Sequence, residues 1–169
     1  ERGLYQDISL ERCLIFLASL KGIHVKEASV KLEDYLTAFD LYDVRTKKVK
    51  ELSKGMQQKA QLISTLVHDP DLIIIDEPFT ALDPINTEMV KNILKEKRNE
   101  GKAVIMSTHQ MNQVEELCDR ILLIDHGHRV LFGTLREIQD QFKSRDIFVT
   151  PSASLPATIP GVENIRELN

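Results

Sequence analysis

The chain has 169 residues, 42% of them apolar and 28% charged, a composition that excludes intrinsic disorder and allows one ordinary domain with a buried core. Its 26 acidic and 22 basic residues leave a net charge of −4, so there is no broad basic footprint for nucleic acid. No apolar run approaches the roughly 18–20 residues that cross a bilayer, so a membrane role has to run through a partner.

Cys13 and Cys118 stand apart in apolar-periodic segments, as buried reduced thiols of a cytosolic protein would. The first residue is Glu1, and no signal or targeting pattern follows it; the chain reads as cut from something longer.

Residues 1–8 read as an entry loop. After Ser9, a candidate N-cap, the apolar positions Leu10, Cys13, Leu14, Leu17, Ala18 and Leu20 recur at helical spacing until Gly22, a candidate C-cap. A second helix from about Lys26 to Phe39 buries Ala28, Leu32, Tyr35, Leu36 and Phe39. Asp43 to Glu51 is polar and reads mostly as loop, with room for one helical turn. A third helix starts after Gly55 with Met56, Ala60, Ile63, Leu66 and Val67 on one side, and Pro70 ends it by removing a donor and constraining the residue before it.

Leu72 to Ile75 is a short continuous apolar run, which suits a parallel strand covered on both faces. Asp83-Pro84 then starts a helix, aspartate as N-cap and proline at its first position, that carries Met89, Val90, Ile93 and Leu94 and ends at Gly101. Ala103 to Ser107 is the next buried strand and Met111 to Leu117 a short helix. Arg120 to Asp125 and Arg129 to Phe132 form a hairpin through His126-Gly127-His128. Thr134 and Glu137 make a capping box for a helix to about Phe142, Asp146 to Thr150 is a further strand, and the tail after Pro151 is irregular. Helices first and strand–helix alternation afterwards predict an α/β fold: a parallel-sheet layer preceded by a helical subdomain.

Asp76 and Glu77 sit just past the carboxyl end of a buried strand, where open α/β sheets place their ligands. Neighbouring carboxylates alternate sides, so one can reach a hydrated Mg²⁺ while the other orients or deprotonates a water. Solvation of a strand exit explains the pair equally well. Ser53-Lys54-Gly55 precedes a helix and reads either as a plain serine cap or as an anion site of free N–H groups and a serine hydroxyl. His109 ends the second strand and can donate to a terminal phosphate, or be an ordinary surface histidine. A helix cap accounts for Asp83 by itself. Glu115, Glu116 and Asp119 read as a solvated helix face, and His126 and His128 as turn residues.

The order of these pieces carries more than any one of them. Leu52-Ser53-Lys54-Gly55-Met56-Gln57 resembles the signature motif of the ATP-binding cassette (ABC) ATPases, and Leu72 to Glu77 resembles their Walker B strand with its catalytic glutamate. Ala81-Leu82-Asp83 is similar to the D-loop and Ser107-Thr108-His109 to the switch-histidine loop. The resemblance reaches to about Phe142. It implies a P-loop NTPase-like sheet layer, partial here, with residues 1–70 as helical subdomain, 71–145 as the carboxyl-terminal part of the ATPase core and 146–169 as the start of an appendage.

By the same resemblance, ATP and Mg²⁺ are the cofactors, Asp76 serves the metal, Glu77 polarises the hydrolytic water and His109 contacts the γ-phosphate. Ser53, Lys54, Gly55 and Gln57 would meet a nucleotide held by a second ATP-binding subunit in a head-to-tail dimer, with Asp83 at the same interface. The partners implied are that second subunit and a transmembrane permease, with no nucleic acid, and the place is the cytoplasmic face of the cell membrane. Lys54 stands where the family has a second glycine and Met56 where it has glutamine, a variant similar to bacterial exporter-type cassettes. No G-x-x-x-x-G-K-[ST] phosphate loop occurs, so the chain resembles a cassette lacking about its first third. A soluble ABC ATPase acting on ribosomes or DNA and a truncated, non-catalytic cassette are the alternatives to a transporter motor.

Overall fold

The computed structural model describes residues 3–142. Its first elements are the helices α1 (Leu10–Leu20), α2 (Val25–Ala38) and α3 (Lys54–Leu66), with single 3₁₀ turns at Tyr42–Val44 and Val49–Glu51 between the last two. Then come β1 (Leu72–Asp76), α4 (Pro84–Asn99), β2 (Ala103–Ser107), α5 (Met111–Leu117), β3 (Ile121–Asp125), β4 (His128–Gly133) and α6 (Leu135–Phe142).

Ser9 occupies the N-cap position of α1, but its hydroxyl caps nothing. The first helical N–H groups donate to another part of the chain instead, Leu10 to the Lys47 carbonyl at 2.9 Å and Glu11 to Arg45 at 3.0 Å. Ser9 itself pairs antiparallel with Lys48. The polar 43–51 segment is therefore structural: it satisfies donors that a helix start leaves open. At the other end of α1, Gly22 takes the left-handed conformation (φ 87°) that lets the Gly22 and Ile23 N–H groups bond back to Ser19 and Ala18. Asp40 closes α2 in the same way at φ 53°, with Leu41 N–H on the Leu36 carbonyl at 2.8 Å.

The buried faces of α1, α2 and α3 meet in a core of Leu10, Leu14, Leu32, Leu36, Phe39, Ile63 and Leu66. Ile73, Ile75, Phe79, Val90 and Leu94 belong to the same cluster, so helical part and strand part share one core. Each such side chain, fully buried, contributes about 1.5–3 kcal/mol.

Strands β1 and β2 pair in parallel, in a register that runs from Leu72 opposite Ala103 to Asp76 opposite Ser107. Covering on both faces is not what the described residues show. Burial alternates along β1, with Ile73 and Ile75 inside while Leu72 and Ile74 are 49% and 65% exposed. Ile105 of β2 is exposed as well. α3 packs on β1 and α4 on β2, and no other described helix makes more than slight contact with either strand. An apolar run alone does not reveal which of its two faces finds a cover.

The first packing unit ends at Ile121 and a second begins at Leu122. In the second, β3 and β4 form the expected hairpin, and His126 (φ 47°) and Gly127 (φ 77°) are its two central residues. Two left-handed residues in a two-residue loop match the right-handed twist of the strands they join. The capping box of α6 is present: Thr134 N–H donates to Glu137 Oε2 at 2.7 Å and Glu137 N–H to Thr134 Oγ1 at 3.2 Å. The strand expected over Asp146 to Thr150 and the irregular tail lie outside the described residues. Among the described residues no helix is long and apolar enough to cross a membrane.

Candidate functional site

Parallel pairing brings the carboxyl ends of β1 and β2 side by side, and with them the loops after Asp76 and Ser107. Ser107 Oγ donates to Asp76 Oδ1. One residue on, the Glu77 carboxylate accepts from the His109 backbone N–H at 3.1 Å, and His109 Nδ1 lies 2.7 Å from the same oxygen. Thr108 Oγ1 stands 3.4 Å from its other oxygen. With its proton on Nδ1 the imidazole donates to Glu77 and leaves Nε2 for another partner. His109 remains 78% exposed while the Glu77 side chain is 31% exposed, so the carboxylate is recessed and the ring projects. The backbone here is unusual. Glu77 holds φ at 45°, a conformation that costs a non-glycine residue energy and persists only when its surroundings enforce it.

The second group forms at the start of α3. Ser53 is its N-cap, with Oγ accepting from Met56 N–H at 3.2 Å. The helix starts one residue before Gly55 rather than after it, so Gly55 lies in its first turn. A Cβ there would come within 2.7 Å of the Ala81 carbonyl oxygen, and Ala81 itself adopts φ 63°. The Ala81–Asp83 loop thus presses backbone against backbone on α3. Ser53, Lys54, Gly55, Lys59, Asp83 and Asn86 are among the residues that line a cleft of about 460 Å³.

Asp83 caps α4, accepting from Asn86 N–H at 2.9 Å and from the Asn86 side-chain amide at 2.6 Å. These bonds favour the charged form and hold the Asp83 carboxyl below its ordinary pKa of 3.8. A carboxyl with a depressed folded pKa stabilises the fold above its unfolded value and loses that effect as pH falls through the folded one. Asp83→Ala is therefore expected to lower the melting temperature at neutral pH and to flatten its decline below pH 3.8, read by thermal melts across the acid range.

Asn86 also accepts from Lys59 Nζ at 3.0 Å. Lys59 is 4% exposed, and burial lowers its pKa. Next to it Gln58, 7% exposed, donates from Nε2 to the Glu77 carbonyl at 3.2 Å. Gln58, Lys59 and Asn86 were not among the residues the sequence motifs single out as site residues. A lysine and a glutamine that break into the apolar side of α3 are the available signal. Gln57 stands apart from the cleft: its amide donates to the carbonyls of Val49 and Leu52, at 3.2 and 3.0 Å, and so holds the turn before the helix.

The expected solvated face on α5 is in part a tie. Glu116 accepts from Lys91 and Lys95 of α4, and these bonds hold its carboxyl below the usual range. Asp119 lies 3.4 Å from Arg98. The helix after Asp83 and the helix after His109 are thereby joined.

No cluster of three or more acidic, histidine or cysteine side chains fit for a metal occurs among the described residues. Mg²⁺ ordinarily takes one or two carboxylates and fills its octahedron with waters and phosphate oxygens. Asp76 is an exposed carboxylate at the strand end.

A family model for an AAA domain, whose description also names the AbiEii toxin and type IV toxin–antitoxin systems, matches residues 32–115. An ABC transporter ATP-binding protein of Alkalihalophilus pseudofirmus is 38% identical over 99% of this chain and 63% of its own length. The ABC transporter ATP-binding protein YhaQ of Bacillus subtilis is 42% identical over 88% of this chain and 50% of its own. A solved structure titled as the ATP binding subunit of an ABC transporter superposes with a TM-score of 0.77 at 32% identity, over 82% of this chain and 58% of that one. The chain thus spans between half and two thirds of the length of these three proteins. Motif order, strand register and relatives agree, and the chain belongs to the ATP-binding proteins of ABC transporters.

Proposed function

We propose that the gene product containing this chain is the ATP-hydrolysing motor of an ABC exporter. The observation that carries the reading is the Glu77 carboxylate, recessed at the sheet edge beside Asp76 and held by the His109 backbone and ring. A carboxylate fixed in this way accepts a proton from an attacking water and aligns it. Its neighbour Asp76, which accepts from Ser107 Oγ, would hold the metal of the same site. Bound Mg²⁺ supplies charge neutralisation on the phosphate oxygens as the terminal bond breaks. His109, projecting from the edge, contacts the γ-phosphate.

The cleft at the α3 start serves a different nucleotide, one carried by a second subunit arranged head to tail. Ser53 and the N–H groups beyond it, with Lys54 and Gly55, meet its γ-phosphate, and Asp83 works across the same interface. The helices within residues 9–67 dock on a transmembrane permease, which places the motor on the inner face of the membrane. Export is the direction favoured by Lys54 and Met56 in the signature, the variant similar to exporter-type cassettes.

The test compares two preparations. Full-length gene product is expected to release phosphate from ATP in a Mg²⁺-dependent manner, and the 169-residue chain alone to show none above background, because no phosphate loop occurs in it. A full-length protein without Mg²⁺-dependent turnover, or a 169-residue chain with it, contradicts the assignment.

A further inference from the structure

The left-handed backbone at Glu77 raises the question of what holds it. Its N–H donates to the Ser107 carbonyl at 3.0 Å, which ties it to β2. Its carbonyl accepts from Thr80 N–H at 3.2 Å and, on the other side, from Gln58 Nε2 at 3.2 Å. The same Gln58 amide lies 3.5 Å from the Pro78 carbonyl, a longer contact. Both neighbours of this amide are carbonyl oxygens, so the nitrogen, not the oxygen, has to face them. Gln58 is 7% exposed and lies one helical turn beyond Ser53 and Gly55. A buried donor bonded to a strained peptide is a costly arrangement unless the bond is kept.

We infer that Gln58 is a positioning residue for Glu77: it fixes the Glu77 peptide from the side of α3, so that the carboxylate stays where His109 and a water can meet it. Gln58 touches no reacting atom. It also makes the start of α3 and the water-activating glutamate parts of one hydrogen-bonded unit within the same subunit. The inference rests on the assignment of Glu77 proposed above.

The experiment uses full-length gene product and two substitutions of opposite character. Gln58→Met keeps length and apolar packing but removes the donor; Gln58→Lys keeps a donor of similar reach and adds a buried charge. Because misplacing a catalytic group by about 1 Å costs on the order of 100-fold, Gln58→Met is expected to lower kcat by about 30- to 100-fold. KM for ATP is expected to stay within about twofold, since ground-state binding is untouched. Gln58→Lys is expected to retain kcat within about threefold of the parent, because it still donates to the Glu77 carbonyl. A purely packing role for this buried position predicts the reverse order, with methionine tolerated and lysine not.

In a Glu77→Gln background, adding Gln58→Met should leave the ATP concentration needed for dimer formation unchanged within about twofold. Gln58→Met at the parental rate, Gln58→Lys slower than Gln58→Met, or a shifted dimerisation midpoint each overturns the inference. If Gln58→Met does not fold, Gln58→Glu, which aims a carboxylate at two carbonyls, takes its place against Gln58→Lys with the same expected order. The two levels of the argument separate cleanly. A parental rate in Glu77→Gln removes the reading of Glu77 itself, whereas an inert Glu77→Gln beside a fully active Gln58→Met removes only the role of Gln58.

Discussion

Glu77→Gln in the full-length gene product is expected to lower ATP turnover by about 10²–10⁴-fold, the range a general base contributes, while ATP-bound dimers still form. Glutamine has the shape of glutamate and keeps an oxygen for the His109 N–H, 3.1 Å away in the parent, and for the imidazole. What it loses is the capacity to take a proton. The backbone at φ 45° is held by Ser107, Thr80 and Gln58 through main-chain atoms that the substitution leaves alone. Binding and closure should therefore survive while the chemical step fails. Phosphate release measures the chemical step, and light scattering of the ATP-bound protein measures closure. A variant that hydrolyses ATP at the parental rate would assign the water to another residue.

Gly55→Val is expected to weaken both fold and activity. Replacing a helical glycine ordinarily relieves part of a backbone entropy cost, so the sign here depends on the space available. There is none: the first side-chain carbon would sit 2.7 Å from the Ala81 carbonyl oxygen, a backbone atom that cannot rotate away, and 3.7 Å from Leu82 Cδ2. Overpacking of this kind costs about 1–3 kcal/mol, which for a chain of this size corresponds to a melting temperature lower by about 2–12 °C. Relief of the clash has to push Ala81 and Asp83 away from α3, so turnover should fall further than stability alone accounts for. Thermal melts of the 169-residue chain and turnover of the full-length gene product decide it. A variant that melts at the parental temperature would show that the loop gives way freely.

Much of this was legible in the residues. Leu72 to Asp76 and Ala103 to Ser107 are strands because short branched apolar runs between Pro70, Gly101 and polar exits leave little alternative, and the structure pairs them in parallel. Asp83-Pro84 announced a helix start, and Thr134 with Glu137 announced another. Gly55 was legible only in part. Its spacing marks it as a site residue, whereas the contact with Ala81, distant in sequence, belongs to tertiary packing that no local pattern encodes.

The same limit hid Gln58 and Lys59, whose partners are the Glu77 carbonyl and Asn86. It also hid the capping of α1 by the 45–47 carbonyls, since Ser9 is a sufficient cap on paper. Glu116 looked solvated for a related reason: the lysines that claim it lie on another helix. The bare face of Leu72, Ile74 and Ile105 was misread because hydrophobicity states that a cover is wanted, not that it is supplied within residues 3–142.

The pairing of Asp76 with Ser107 has a consequence for how such a chain tolerates changes of length. Side chains alternate faces along a strand, so one residue gained or lost inside β1 or β2 turns every later side chain over and parts Glu77 from His109. The exposed turn at Glu100–Gly101, by contrast, follows a helix terminus and precedes the first paired residue, Ala103. Extra residues there lengthen a connection at small entropic cost without touching the register. Added length is thus expected to be tolerated at the amino-terminal side of β2, whereas the spacing at the carboxyl ends of both strands has to stay fixed to the residue.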